Sequence, residues 1–221
     1  MTLCNHRAVP DRTDWLAWHA QYDDPASPLS RRLRVVQARI SEWLDDRDGV
    51  VRVVSACAGD GRDIVEVLAR RPDADRVSAV LIEMDERNAD AARRRARDAG
   101  LHGLEVRRAD AGHLDGYEGA APADLLLFCG VFGNVSDEDV ERAVAALPRL
   151  LEPGATVIWT RSRREPDLTS AIRGWFTEAG FIERHFDAPE DVLVSVGVHR
   201  LATDAPPAAP PADRRLFRFV I

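Results

Sequence analysis

The sequence predicts an α/β fold built on a doubly wound, mostly parallel sheet. Three observations carry that expectation. From Val50 to Thr160, short apolar runs alternate with amphipathic helical patterns, the signature of successive βα units with right-handed crossovers. The run Ala123 to Cys129 is continuously apolar from Leu125 onward, as befits a strand covered on both faces. The run Val50 to Ala56 leads through Cys57-Ala58-Gly59-Asp60-Gly61 into the helical pattern of Ile64, Val65, Val67 and Leu68. That order is a buried strand, a tight turn and a helix start.

Taken in order, Met1 to Asp11 carry no periodic pattern, whereas Trp15, Trp18, His19 and Tyr22 fall on one face of a short helix that Asp23-Asp24-Pro25 stops. A longer helix starts at Ser27-Pro28, with Leu29, Leu33, Val36, Ile40, Trp43 and Leu44 as one stripe that packs on the sheet. The second strand runs from Val77 to Ile82 and ends in Glu83. Glu86 to Ala99 is helical with Gly100 past its end. Its run of arginines, Arg93 to Arg95 and Arg97, reads as a solvated face paired with acids such as Asp90. Leu104 to Arg108 is the third strand, followed by Asp110-Ala111; Ala123 to Cys129 is the fourth. Ser136 caps a helix from Asp137 to about Leu147, and Ala155 to Thr160 is the fifth strand. A helix from Pro166 to Ala179 precedes strand material at Phe181 and a good strand from Val192 to Arg200. Ala205 to Ala212 is proline-rich and irregular, and Arg214 to Ile221 reads as a terminal strand.

The composition bounds the function. The chain has 221 residues, enough for one well-buried domain, with 45% hydrophobic and 30% charged residues. Its net charge of −7 argues against a nucleic-acid surface. All of its basic charge is arginine, which with the many alanines and prolines suggests a GC-rich bacterial genome. Three widely spaced cysteines, Cys4, Cys57 and Cys129, show no metal-ligand spacing, and an odd count suits a reducing cytoplasm. No signal peptide and no apolar run of membrane-spanning length is visible, so neither membrane nor metal is expected.

The turn after the first strand reads as a nucleoside-cofactor site. Small residues let a ligand approach the backbone, and the helix start offers free N–H groups. Glu83, an acid at the tip of the second strand, suits the two hydroxyls of a ribose. Two cofactors compete. A nicotinamide dinucleotide wants G-x-G-x-x-G, and Gly59 and Gly61 fit the first pair while Ile64 stands at the third. Acids at Asp60 and Asp63 suit the cationic groups of S-adenosyl-L-methionine better than a pyrophosphate.

On this turn, Glu83, Asp110 and Cys129-Gly130, the chain resembles the class I S-adenosylmethionine-dependent methyltransferases, in particular a compact bacterial subgroup. The family motif, an acid followed by x-G-x-G-x-G, falls here on Ser55, Ala56, Cys57, Ala58, Gly59, Asp60 and Gly61. Ser55 and Cys57 depart from it; Cys57 suggests a wider turn. The resemblance implies a Rossmann-like core over residues 49–221 under an N-terminal helical cover over residues 1–48, all one domain, with a late hairpin that adds a C-terminal antiparallel strand. It implies that Glu83 holds the ribose, that Asp110 and Ala111 lie against adenine, and that the cofactor also meets Asp63, Met84, Cys129 and Gly130. The cover implies Trp18, His19 and Tyr22 turned toward substrate.

The expected reaction is direct displacement of the sulfonium methyl by a nucleophile on a small-molecule acceptor. The loop Gly130-Val131-Phe132-Gly133-Asn134-Val135 is expected to be where donor meets acceptor, with Phe132, Asn134, Trp159 and Arg161 on the substrate side. His19 and His199 are the candidate general bases. Neither Asn-Pro-Pro-Tyr nor Asp-Pro-Pro-Tyr follows the fourth strand, which the resemblance would associate with amino groups of nucleic acids or glutamine. Two rivals stand beside this reading: an S-adenosylmethionine-binding regulator or partner subunit that transfers nothing, and a nicotinamide oxidoreductase.

Overall fold

The computed structural model describes residues 20–205, 208–209 and 211–220. Trp15, Trp18 and His19 lie outside the described residues; Tyr22 falls in a 3₁₀ turn, Ala20–Asp23. The helices are α1 (Pro28–Asp45), α2 (Arg62–Leu68), α3 (Glu86–Asp98), α4 (Asp137–Ala146) and α5 (Thr169–Glu178). The strands are β1 (Val51–Ala56), β2 (Val77–Glu83), β3 (Leu104–Arg108), β4 (Ala123–Phe128), β5 (Leu151–Ser162), β6 (Phe181–Asp187) and β7 (Val194–Leu201).

The seven strands form one sheet in the order β3-β2-β1-β4-β5-β7-β6. The pairs β1–β2, β2–β3, β1–β4 and β4–β5 are parallel, and β7 runs antiparallel between β5 and β6. This is the Rossmann-like architecture with its late antiparallel strand. Strand order reverses at β1, whose neighbours are β2 and β4. The tips of those strands are where an open α/β sheet leaves a crevice.

Both faces of the sheet are covered, and the period of two along each strand decides which residue goes where. Val51 and Val53 point into one apolar cluster with Ile40 and Leu44 of α1 and Ile64 and Leu68 of α2. Val54 and Ala56 point into the other, with Val140 and Val144 of α4 and Ile172 and Phe176 of α5. Helix α1 is therefore a layer of the core. The helix starts follow their sequence signals. The Ser27 hydroxyl accepts from the Ser30 N–H with Pro28 in the first turn, and the Ser136 hydroxyl accepts from the Asp139 N–H at 3.2 Å.

Three boundaries differ from expectation. Helix α2 stops at Leu68, three residues before Arg71. Helix α5 begins at Thr169 rather than Pro166, because the Asp167 carboxylate takes the Thr169 N–H at 2.9 Å and holds a turn ahead of the helix. Strand β5 starts at Leu151, with a register shift against β4 between Ala123 and Leu125. The terminal segment is a larger correction. Arg215 and Phe219 make isolated bridges, to His113 and Val135, and among the described residues no strand forms beyond β7. The free edge of β5 is already taken by β7. Both Leu216 and Phe217 are buried, so the segment lacks the alternation of an edge strand. It runs as a strap across the loops after β3 and β4.

Candidate active site

A cavity of about 900 Å³ opens at the tips of β1, β2, β3 and β4. The turn after β1 forms its floor. Cys57 takes φ of +53°, Gly59 +58° and Gly61 +73°. The wider turn expected at Cys57 is therefore absent: a cysteine occupies a left-handed backbone position that ordinarily favours glycine. At Gly61 a Cβ would meet Leu81 Cδ2 at 2.7 Å, so this glycine is fixed by packing as well as by its φ. Gly61 caps α2 from below, and Cys57, Gly59, Asp60 and Asp63 line the cavity itself.

Glu83 is buried at the tip of β2, and its carboxylate braces the turn. Oε2 accepts from the Gly59 N–H at 2.8 Å and Oε1 from the Asp85 N–H at 2.8 Å. Each oxygen keeps a lone pair for a ligand donor. Burial raises its pKa, opposed by those N–H groups. Asp63, at the first turn of α2, is 9% exposed; its Oδ1 accepts from the Ile64 N–H at 2.8 Å. Desolvation lifts its pKa to about 6, and that bond only partly offsets it.

Asp60 plays a different part from the one its position suggests. Its carboxylate is held by Arg62 at 2.5 Å and by Arg95 at 3.0 Å, so its charge is already neutralised by two guanidiniums. Arg95 belongs to the arginine run of α3, which the sequence reading assigned to a solvated face; Arg93 does pair there with Asp90 at 2.8 Å. Asp85, Glu86 and Asp110 also line the cavity, but Glu83 and Asp63 are, besides Asp60, the buried acids that face it.

The remaining walls come from separate elements. Met84 lines the cavity with 64% of its surface exposed, and Asp110, Ala111, Cys129 and Gly130 line it too. Burial raises the pKa of both the Cys57 and Cys129 thiols, which keeps them protonated. Ser55 and Ala56 are buried within β1 and do not line the cavity. Tyr22 and Asn134 do. The Tyr22 hydroxyl accepts from Arg32 Nη2 at 2.6 Å, and Arg62 lies 4.5 Å over its ring. Asn134 Nδ2 donates to the Gly130 carbonyl at 2.6 Å.

Four sequence-predicted residues lie elsewhere. His199 is fully buried in β7: its ring stacks on Phe176 at 4.4 Å, and Nδ1 accepts from Trp159 Nε1 at 3.1 Å. Desolvation lowers its pKa to about 4. It is a core residue that touches no cavity, which removes it as a general base. Trp159 is also fully buried, stacked on Phe176 at 5.8 Å, because its position in β5 faces α5 rather than the strand tips. Phe132 packs between Phe128 and Trp159. Arg161 donates to the Phe132 carbonyl and sits 3.7 Å from Asp137, so it staples the loop after β4 from behind. His19 and Trp18 lie outside the described residues.

The cavity also contains residues that the sequence reading missed. Arg32, Leu33 and Val36 reach it from α1, and Phe219 from the terminal strap. The stripe of α1 signalled a buried face but not which end of it meets the strand tips. Phe219 was hidden by the strand reading of its segment. Among the described residues no cluster of His, Cys, Asp and Glu could hold a metal, and no helix is long and apolar enough to cross a membrane.

Comparison with known proteins agrees with this geometry. Residues 53–154 match a family model described as a methyltransferase domain. No curated protein sequence matches the chain. Among solved structures, magnesium protoporphyrin IX methyltransferase from Synechocystis PCC 6803, with bound SAM, superposes with a TM-score of 0.66 at 14% identity, covering 87% of this chain and 93% of that one. An O-methyltransferase family protein from Burkholderia thailandensis gives 0.63 at 18% identity, covering 87% and 61%. A possible exported protein from Bordetella parapertussis gives 0.64 at 18% identity, covering 78% and 67%. The matched segment, a methyltransferase domain, spans β1 to the start of β5, and these solved structures share the fold of the chain.

Proposed function

We propose that this chain transfers the methyl group of S-adenosyl-L-methionine to a small-molecule acceptor by direct displacement. The observation that carries the reading is the pair of buried carboxylates, Glu83 and Asp63, facing one cavity at the point where strand order reverses. A cavity of about 900 Å³ is of the size that encloses a nucleoside cofactor with part of an acceptor. When bound, S-adenosylmethionine supplies an electrophilic methyl on a sulfonium centre.

The residues divide the work by their chemistry. Glu83 accepts from ribose hydroxyls with the lone pairs its two backbone partners leave. Asp63, ionised, is the counter-ion for a cationic group. Asp110 and Met84 border the base. Tyr22, Arg32 and Asn134 bound the part of the cavity left for the acceptor, which they orient while the surrounding walls exclude water. The acidic net charge of −7 supports a small acceptor over nucleic acid. Cys57 and Cys129 are free thiols, which supports a reducing, cytoplasmic setting.

Titration calorimetry with S-adenosylmethionine, S-adenosylhomocysteine and NAD, side by side, tests this reading. Binding of the first two and not the third is the expected result. Binding of NAD alone, or of none, overturns it. Binding without turnover on any acceptor of a broad panel would instead favour a regulatory partner.

A further inference from the structure

The strap that replaces the expected terminal strand is fastened at both ends of the cavity mouth. On the β3 side, Arg215 Nη1 donates to Asp110 Oδ2 at 2.9 Å, while Asp110 Oδ1 accepts from the Gly112 N–H at 2.8 Å. The Leu216 N–H donates to the Gly112 carbonyl at 2.8 Å, and the Arg214 carbonyl accepts from the Leu114 N–H at 2.9 Å. The strap lies so close that a Cβ on Gly112 would meet the Phe217 carbonyl oxygen at 2.4 Å. On the β4 side, the Arg218 N–H donates to Asp139 Oδ2 at 2.8 Å and the Val220 N–H to the Asn134 carbonyl at 3.0 Å.

Between these anchors Phe217 is buried edge-on against Phe128 at 5.6 Å, and it supports Phe219 edge-on at 5.7 Å. Phe219 remains 41% exposed and lines the cavity. The exposed part of an aromatic ring that lines a cavity is a surface for a flat apolar partner. Met84, on β2's side, is the other large apolar side chain that is exposed there.

We infer that the segment Arg215–Phe219 is a working part of the cofactor site: Arg215 is a positioning residue that fixes the Asp110 carboxylate, and Phe219 is a wall against which the adenine base packs. The inference rests on the reading of the cavity as the S-adenosylmethionine site. Arg215 acts through Asp110 and so governs which base edge is accepted, whereas Phe219 acts on any purine. A guanidinium at this distance orients the carboxylate, so that its oxygens accept from an exocyclic amino group and have nothing to offer a carbonyl at the same place.

The test is calorimetry on the full chain with S-adenosylhomocysteine and with S-inosylhomocysteine, which carries a carbonyl where adenine has its amino group. The wild-type chain and the variants Arg215→Gln, Arg215→Lys and Phe219→Ala are compared, with the melting temperature of each. Arg215→Gln should weaken S-adenosylhomocysteine about tenfold and shrink its preference over the inosine analogue, and Arg215→Lys should restore most of that preference. Phe219→Ala should weaken both ligands about equally, several-fold, without loss of the fold, since the ring is exposed. Unchanged affinity in Arg215→Gln and Phe219→Ala, or a loss in Arg215→Gln that is equal for both ligands, overturns the inference while leaving the cofactor reading intact. Failure of the wild-type chain to bind S-adenosylhomocysteine at all overturns both.

Discussion

Asp63 and His199 are both buried titratable groups of this mixed sheet and its helices, and they have opposite fates. Asp63 sits at a strand tip, just past the turn after β1, where the fold leaves a cavity. His199 sits in mid-strand on β7, where α5 closes over it and Phe176 stacks on its ring. Desolvation acts on both and always against the charged form, so it raises the carboxyl to about 6 and lowers the imidazole to about 4. The difference lies in what can relieve it. A ligand can reach Asp63, and only unfolding can reach His199. Burial and a perturbed pKa do not by themselves mark a site; access to a cavity does.

The largest change to that contrast comes from removing the roof. Phe176→Ala should cost about 3–5 kcal/mol of stability by leaving a cavity under α5. It should also let the His199 pKa climb toward 6.5, read by NMR titration. An unmoved His199 would mean that the ring is shielded by something other than Phe176.

Next in size is Asp63→Asn. The folded chain holds the Asp63 proton up to about pH 6, whereas the unfolded chain loses it near the ordinary value of 3.8. Stability contributed by this group therefore falls as pH rises across that window. Asparagine removes the cost and keeps an acceptor for the Ile64 N–H. The variant should gain up to about 3 kcal/mol at pH 7, little at pH 4, and lose affinity for S-adenosylmethionine. Denaturant melts against pH check the first part and calorimetry the second. His199 has the opposite sign: the unfolded chain holds the extra proton between about pH 4 and 6.5, so its contribution rises with pH there. In the wild-type chain the two slopes oppose one another.

Glu83→Ala should weaken S-adenosylmethionine by about 1–3 kcal/mol, because ribose donors lose a charged acceptor. Unchanged affinity would take Glu83 out of the cofactor site and leave it as the brace of the Gly59 turn. The smallest expected effect is at the loop after β4. Ser136→Ala should cost about 1 kcal/mol through the lost cap of α4, and a melt that does not shift would show the loop to be held by Asn134 and Arg161 alone.

The site was legible where chemistry and backbone geometry coincide. Glu83, Asp110 and the turn at Gly59 follow strands whose apolar runs are unmistakable, so their place at the strand tips could be read along the chain. Trp159 and His199 were misplaced because a residue type says nothing about which way a strand faces, and Phe132 because its loop turns the ring back into the core between Phe128 and Trp159. Arg161 was read correctly as lying near the strand end, but its guanidinium turns to the Phe132 carbonyl instead of the cavity. Phe219 and Arg32 were missed because each reaches the cavity from an element remote in sequence, and no local pattern records that approach.

By itself the sequence determined the alternation of strands and helices, the mostly parallel sheet and the position of the glycine turn after β1, because these follow from short-range periodicity and from glycine and proline placement. Only the tertiary structure decided which buried polar groups face a cavity, that Arg95 joins Arg62 on Asp60, and where the terminal strap lies. Those outcomes depend on contacts between segments far apart in the chain. They are set by which faces remain uncovered once the sheet has taken its helices, a property that no single segment carries.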